Sequence, residues 1–132
     1  KGFLSESAPI SQLRQLRDNR DETGFSRELW QSMVEMGFVG TLMLEEFGGS
    51  AFGNVGMGQV FEQAGRNLSV SPLLSSAVIG VCALQLAGNS EQKQNLLPAI
   101  AEGRLLTALA ADESARHNPA KVALCSMVRS RW

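Results

Sequence analysis

Helix start and stop signals divide most of this chain into segments of helical length. Ser26 is a favourable N-cap, Glu28 is well placed in the first turn, and Gly37 is a natural C-terminal stop. Between them lies an apolar stripe at helical spacing, formed by Leu29, Trp30, Met33 and Val34. Similar signals predict helices at 11–20, 57–66, 72–87 and 90–102, so the chain is expected to be mainly helical.

Two of these segments have features of their own. The segment up to Ala87 is apolar nearly all round, so it is predicted to be the central helix, capped by Ser71 with Pro72 at its first position. Ser90 is predicted to cap the last helix, and Pro98 inside it should bend or split that helix.

A glycine-rich connection separates the second and third predicted helices. Gly48 and Gly53 have the spacing of a phosphate-binding loop, but Asn54 follows where such a loop carries lysine. A G-x-G-x-x-G pattern also fails, because Phe61 stands where its last glycine would be. The glycines therefore predict a loop that turns sharply and packs tightly.

The pattern changes after Gly103. Two short apolar runs, at 105–111 and 122–128, are predicted strands, and a polar stretch at 112–120 separates them. We therefore expect a helical domain at 1–103 and the beginning of a β-domain at 104–132. The chain begins without methionine and ends in no recognisable element, so it is interpreted as part of something longer.

Composition excludes several function classes. Of 132 residues, 44% are hydrophobic and 19% are charged, and the formal net charge of −1 gives no basic stripe for nucleic acid. The most apolar stretch, Leu73–Ala87, is too short and too polar for a membrane span. His117 is the sole histidine, and Cys82 and Cys125 have no partners at ligand spacing, so no metal site is expected. The two cysteines fit a reduced intracellular setting, and a cytoplasmic location is predicted.

Few residues are candidates for chemistry, and no Ser-His-Asp or Cys-His set is present. Glu45-Glu46 is interpreted as a solvated pair, whereas Asp112-Glu113, at the end of an apolar run, is the better site candidate. Polar residues in the central helix either satisfy themselves through the backbone or leave room for a ligand. Core filling is predicted for four methionines, which are Met33, Met36, Met43 and Met57.

Three stretches resemble one enzyme family, in its order and spacing. Residues 29–40 and 44–49 resemble the "LW..M.E.G" and "PEE.GG.G" runs of acyl-CoA dehydrogenases. Residues 60–66 are similar to that family's "V.EE.GR", and residues 86–103 to its "AG…QK…LP.IA.G". The resemblance covers roughly residues 20 to 113.

This resemblance implies a fold and a reaction. The fold is an orthogonal helical bundle of the acyl-CoA dehydrogenase N-terminal type, followed by the start of a middle β-domain. In that family FAD lies between the middle and C-terminal domains, and a glutamate of the C-terminal part removes the α-proton of a fatty acyl-CoA. No catalytic residue is therefore expected in this chain, and the fragment alone should be inactive.

The resemblance also implies which residues meet the ligands. The central helix should help to close the acyl pocket, with Ser75, Ser76, Ile79 and Cys82 as lining residues. Ala111, Asp112 and Glu113 match a "TEP.aGSD" motif that meets flavin and substrate. Glu113 is retained, but Asp112 replaces the threonine and the Gly-Ser-Asp is missing.

Two functions follow from these residues. The first is an FAD-dependent acyl-CoA dehydrogenase of fatty acid breakdown, forming an α,β double bond in an acyl-CoA. The second is a non-catalytic helical subunit of the same fold that has lost flavin chemistry, which the altered motif favours. A homo- or hetero-oligomer is expected, and oxidases share the helical domain, so the electron acceptor stays open.

Overall fold

Helices fill most of the chain and two strands follow them. A computed structural model describes residues 2–110 and the backbone of 126–131. In chain order its elements are α1 (Gly2–Ser7), α2 (Ile10–Asp18), α3 (Arg27–Glu35), a 3-10 turn (Glu45–Phe47), α4 (Gly53–Arg66), a π-helix (Leu73–Gly80), α5 (Val81–Ala87), α6 (Ser90–Ala101), β1 (Leu105–Ala110) and β2 (Ser126–Arg131).

Both predicted ends of α3 are confirmed. The Ser26 hydroxyl accepts a hydrogen bond from the Leu29 amide at 3.1 Å and so caps the first turn. At the other end Gly37 has a φ of 74°, and its amide binds the carbonyl of Val34. The Phe38 amide donates to the carbonyl of Met33, and these two hydrogen bonds together form a Schellman motif.

Helix α4 begins at Gly53, four residues before the predicted start at Met57. The predicted start is late because glycines are poor helix formers and three of them lie in this first turn and a half. Close packing favours glycine at one of these positions, because a Cβ on Gly56 would lie 2.9 Å from the Cβ of the N-cap residue Phe52 and 3.4 Å from Cγ2 of Thr41. Packing has therefore overridden intrinsic propensity here.

The predicted central helix is two elements. A π-helix covers Leu73–Gly80 and an α-helix continues over Val81–Ala87. The predicted Ser71 cap is wrong, because Pro72 holds the N-cap position and makes no side-chain cap bond. The π-helix, whose turn is wider than that of an α-helix, is an element that apolar periodicity does not distinguish.

Helix α6 is capped one residue earlier than predicted. The Asn89 side chain accepts from the Gln92 amide at 2.8 Å, and the Gln92 side chain accepts from the Asn89 amide at 2.9 Å. This reciprocal capping box, rather than Ser90, begins the helix. The chain also continues through Pro98 as a single helix, so the predicted split is absent.

Strand β1 joins the helical core and pairs with β2. The two strands are antiparallel, in a register that runs from Leu105 opposite Arg131 to Ala110 opposite Ser126. The second strand is predicted at 122–128, of which residues 122–125 lie outside the described part of the chain. Leu105 and Leu106 are buried in the same core cluster as the helices, so the domain boundary at 103/104 stays a prediction.

One apolar core lies among the helices. Its fully buried members come from α3, the glycine-rich loop, the π-helix, α5 and α6, and include Met33, Val39, Met43, Ala77, Val81, Leu97 and Ile100. Core filling is confirmed for three of the four methionines, whereas Met36, at the end of α3, is 55% exposed. Within the described residues, no helix combines the length and the apolar character needed to cross a bilayer.

Candidate functional site

The π-helix and α5 present one largely apolar face outward. Leu74, Ile79 and Leu86 are exposed on it, and Ser75 and Cys82 are half-buried beside them. Ser75, Ile79, Cys82 and Leu86 follow one another at intervals of three or four residues, the spacing of one helix face, and Leu74 adjoins Ser75. We call these five residues the outer face. Three of the four residues predicted to line an acyl pocket thus lie together on a surface.

The fourth predicted lining residue, Ser76, lies on the opposite side of the π-helix. Its side chain has no exposed surface, and its hydroxyl binds a residue that is 31 positions further along the sequence. The hydroxyl donates to the carbonyl oxygen of Thr107 at 3.1 Å and accepts from the amide of Thr107 at 2.9 Å. In this structure Ser76 therefore offers a ligand no surface.

The two hydrogen bonds of Ser76 fix one edge of β1. In an antiparallel ladder the amide and carbonyl of one residue point to the same side. Because both groups of Thr107 bind Ser76, they point away from β2 and towards the π-helix. The serine side chain thus takes the place that a third strand would otherwise hold.

Gly80 allows the π-helix to approach β1 closely. A Cβ at this position would overlap the Oγ1 atom of Thr107, so another residue would require the Thr107 side chain, the helix or the strand to shift. The Thr107 side chain is 3% exposed, and its hydroxyl is buried without a hydrogen-bond partner among the described residues. The contact there is one of shape rather than of hydrogen bonding.

Strand β1 leads from this contact towards the predicted flavin residues. Its first half is buried, whereas Ala108, Leu109 and Ala110 are exposed. The predicted residues Ala111, Asp112 and Glu113 follow directly, and they lie outside the described residues. Ala111 is four positions after Thr107 in the sequence, and an extended chain of that length spans at most roughly 14 Å.

One contact beside the outer face was not predicted from the sequence. The Gln85 side chain donates to the carbonyl of Leu42 at 3.2 Å and accepts from the amide of Leu44 at 3.0 Å. It therefore joins α5 to the glycine-rich loop across more than forty residues. The available signal was an amide side chain inside an apolar run, where an unpaired polar group would be costly.

The glycine-rich loop packs tightly, as predicted. A Cβ on Gly49 would overlap the backbone of Met43, and one on Gly40 would lie 3.3 Å from the Cα of Gly49. Glu45 and Glu46 lie at the surface in the short 3-10 turn, as expected of a solvated pair.

A polar cleft of about 510 Å³ opens between α2 and the start of α3. Hydrogen bonds from the hydroxyl and amide of Thr23 and from the amide of Gly24 lower the pKa of Asp21 below its ordinary value. The amide of Glu28 itself, and then the hydroxyl of Ser26, lower the pKa of Glu28. All of these hydrogen bonds join residues between Asp21 and Glu28, so the lowered pKa values are explained by the local turn and the helix cap.

Of the remaining candidate residues, some lie within the described part of the chain and the others lie outside it. Cys82 is a free, half-buried thiol. His117, Cys125 and the Asp112-Glu113 pair lie outside the described residues. Over the part that is described, no group of three or more histidine, cysteine, aspartate or glutamate side chains is arranged to hold a metal ion.

Comparison with known families agrees with this architecture. Residues 6–104, well over half of the chain, match the family described as "Acyl-CoA dehydrogenase, N-terminal domain". The chain therefore belongs to the acyl-CoA dehydrogenase family. A variant of the Tcur3481-Tcur3483 steroid ACAD has the same fold, with a TM-score of 0.68 and 24% identity over 77% of this chain and 27% of that one.

Curated relatives extend well beyond the matched region. Acyl-CoA dehydrogenase FadE27 of Mycobacterium tuberculosis is 32% identical over 87 residues, which are 65% of this chain and 23% of that protein. The mitochondrial isovaleryl-CoA dehydrogenase of Pongo abelii is 31% identical over 98 residues, 73% of this chain and 23% of that protein. The chain thus spans about a quarter of the length of these relatives. The predicted fold, a mainly helical N-terminal domain with the start of a β-domain, is confirmed.

Proposed function

We propose that this chain is part of an FAD-dependent acyl-CoA dehydrogenase and that its outer face forms a wall of the acyl pocket. The observation that carries the proposal is that three large apolar side chains, Leu74, Ile79 and Leu86, are exposed along the π-helix and α5. Single exposed apolar residues are ordinary, but several on two consecutive elements indicate a surface that something covers.

An acyl chain suits this surface chemically. Each methylene buried against apolar side chains contributes about 0.8 kcal/mol, so a wall of this kind would bind the tail and exclude water. The Ser75 hydroxyl donates to the carbonyl of Pro72 at 3.1 Å, so it leaves no unmatched donor facing the tail. The proposed substrate is therefore an acyl-CoA, with Ser75, Ile79 and Cys82 as lining residues.

The end of β1 fits a flat cofactor. Ala108 and Ala110 are small and exposed, which leaves room for a ring system to approach the strand. FAD, when bound, would supply the acceptor for the substrate hydride. The residues of this chain would hold and shield it, with Ala111, Asp112 and Glu113 as the nearest candidates. The proton-abstracting base would come from another part of the protein.

A second function is supported by one observation. Asp112 stands where the family motif has threonine, and a carboxylate beside an electron-rich reduced flavin would be unfavourable. The chain would then belong to a non-catalytic helical subunit that assembles with a catalytic partner. A homo-oligomeric enzyme and a hetero-oligomer of this kind are the two assemblies that we propose, both in the cytoplasm.

The visible absorption spectrum of the native protein separates the two functions. Flavin bands that bleach when octanoyl-CoA is added are expected for the dehydrogenase, and addition of an artificial electron acceptor should restore them. A protein that stays colourless after incubation with FAD would contradict the enzyme and support the non-catalytic subunit.

A variant of the outer face tests the proposed wall. Ile79→Asp should raise the Kd for octanoyl-CoA at least tenfold, because a charge would face the tail, and tenfold corresponds to about 1.4 kcal/mol. The matched control is Val55→Asp, since Val55 is also exposed but lies on α4. Equal Kd values for both variants, measured by calorimetry, would exclude this face as the wall.

A further inference from the structure

We infer that Ser76 is a positioning residue that sets the acyl-chain selectivity of this protein by holding the outer face at a fixed depth relative to β1. The inference rests on the proposed function, in which the outer face is a wall of the acyl pocket. Ser76 acts through Thr107 and does not itself touch the substrate.

Along the π-helix, residues that face β1 are adjacent in sequence to residues that face outward. Ser76 and Gly80 face β1, and their sequence neighbours Ser75 and Ile79 face outward. Because adjacent residues share a rigid backbone, any shift of the inner pair moves the outer pair with it. The contact with β1 therefore determines where the outer face stands.

The contact between Ser76 of the π-helix and Thr107 of β1 has one well-defined position. Both hydrogen-bonding functions of the Ser76 hydroxyl are used by Thr107, and both partners are backbone groups that no rotamer change can move. Sliding of the helix along β1 would break both bonds and leave the groups buried without partners. Sliding towards β1 is blocked where Gly80 meets Thr107.

Strand β1 runs away from its contact with the π-helix. The strand continues from Thr107 to Ala110 and then to the predicted flavin residues. Ser76 therefore connects the surface that would meet the acyl tail with the strand that leads to the reacting end. A fixed distance between these two places is what discriminates acyl chains of different length.

The position of Ser76 is tested by affinities for three probes. Butyryl-, octanoyl- and palmitoyl-CoA are titrated by calorimetry into the full-length native protein and its variants. In Ser76→Ala the ratio between the weakest and the strongest Kd should fall at least threefold, because a loosened wall accommodates all three tails. In Ser76→Cys, whose thiol is a weak donor and acceptor, the ratio should be intermediate. The cysteine variant carries the test if the alanine variant does not fold.

Ser32→Ala is the matched control. It also removes a serine hydroxyl, but one whose hydrogen bond to the carbonyl of Glu28 stays within α3, so its ratio should stay within twofold of the wild type. A common weakening of all three affinities in Ser76→Ala would show a merely structural role and overturn the inference. An unchanged ratio, or a wild type without chain-length preference, would overturn it as well.

The same titrations separate failure of the inference from failure of the proposed function. A native protein that binds none of the three acyl-CoAs would refute the proposed substrate, and the inference would fall with it. A native protein that binds them with a clear preference, unchanged in Ser76→Ala, would refute only the role of Ser76.

Discussion

Gly49 is required by its contact with the backbone of Met43. A Cβ at this position would overlap the carbonyl group, which belongs to the backbone and cannot turn aside. The loop around it contains fully buried residues, so it cannot relax freely. This loop is therefore held by shape, with glycine at the point of closest approach.

Gly49→Ala should lower the free energy of unfolding by about 2–3 kcal/mol, the upper part of the range for overpacking. Gly58→Ala is the control, because Gly58 lies in α4 and a methyl group added there would have no other atom within 4 Å. That change should stabilise the protein by about 0.5–1 kcal/mol. Urea denaturation measures both, and similar values for the two variants would contradict the packing argument.

Asp21 should make the protein sensitive to acid. Its pKa in the folded state is lowered from 3.8, chiefly by the Thr23 hydroxyl, so the ionised carboxylate stabilises the folded state. That contribution is complete above the unfolded pKa and is lost as the pH falls through the folded pKa. The melting temperature of Asp21→Asn should therefore fall less between pH 5 and pH 3 than that of the wild type.

Thr23→Val provides the companion measurement. It removes the hydroxyl donor that lowers the pKa of Asp21 most, so its acid sensitivity should also be reduced. Thermal melts at several pH values give the slopes. Identical slopes for the wild type and both variants would show that Asp21 is not linked to folding.

At the scale of the elements, the two candidate caps of α6 make a direct test. Asn89 forms the capping box with Gln92, whereas Ser90 is the first helical residue. Asn89→Ala should cost about 1 kcal/mol of stability, and Ser90→Ala less than about 0.5 kcal/mol. Denaturation curves of the two variants decide between them, and a larger effect at Ser90 would contradict the assigned cap.

The π-helix is the element that most affects the proposed site. Within it Ser76 and Gly80 lie against β1, while Ser75 and Ile79 lie on the other side. π-Helical turns are often found at functional sites, and this one contributes Leu74, Ser75 and Ile79 to the outer face. The α-helix that follows keeps its own contact, through Gln85, with the glycine-rich loop.

At the scale of the whole molecule, Ser76 joins the helical part to the strand. If the two behave as one cooperative unit, the backbone amides of 104–109 should be protected from hydrogen exchange through this bond. Ser76→Ala should make that segment exchange roughly tenfold faster, because it removes the acceptor for a buried amide.

The segment 28–35, within α3, serves as the internal reference in the same exchange experiment. It contains Leu29 and Met33, which are buried and lie far along the sequence from both Ser76 and Thr107. Its exchange rate should stay unchanged in Ser76→Ala. Equal acceleration of both segments would indicate global destabilisation rather than loss of a local connection.

Signals that act within a few residues could be predicted from the sequence. The Ser26 cap depends on a hydrogen bond to a backbone amide three residues away. The Gly37 stop depends on a positive φ angle and on hydrogen bonds to carbonyls three and five residues earlier. Such local signals, with the apolar stripes, were enough to predict a mainly helical fold, whereas the family was predicted from the resemblance of three motif stretches. Where two neighbouring residues can both serve as caps, as Asn89 and Ser90 can, the local signal is ambiguous, and the prediction of Ser90 was wrong.

The sequence by itself determined the helical class, most helix ends and the family, because these follow from propensity, capping and motif order. Only the tertiary structure decided the π-helix, the early start of α4 and the inward position of Ser76. The position of Ser76 depends on Thr107, far along the chain, and the close packing at Gly56 involves Thr41 as well as its neighbour Phe52. A buried hydroxyl is satisfied by whichever backbone group the fold brings to it, and spacing along the sequence does not contain that information.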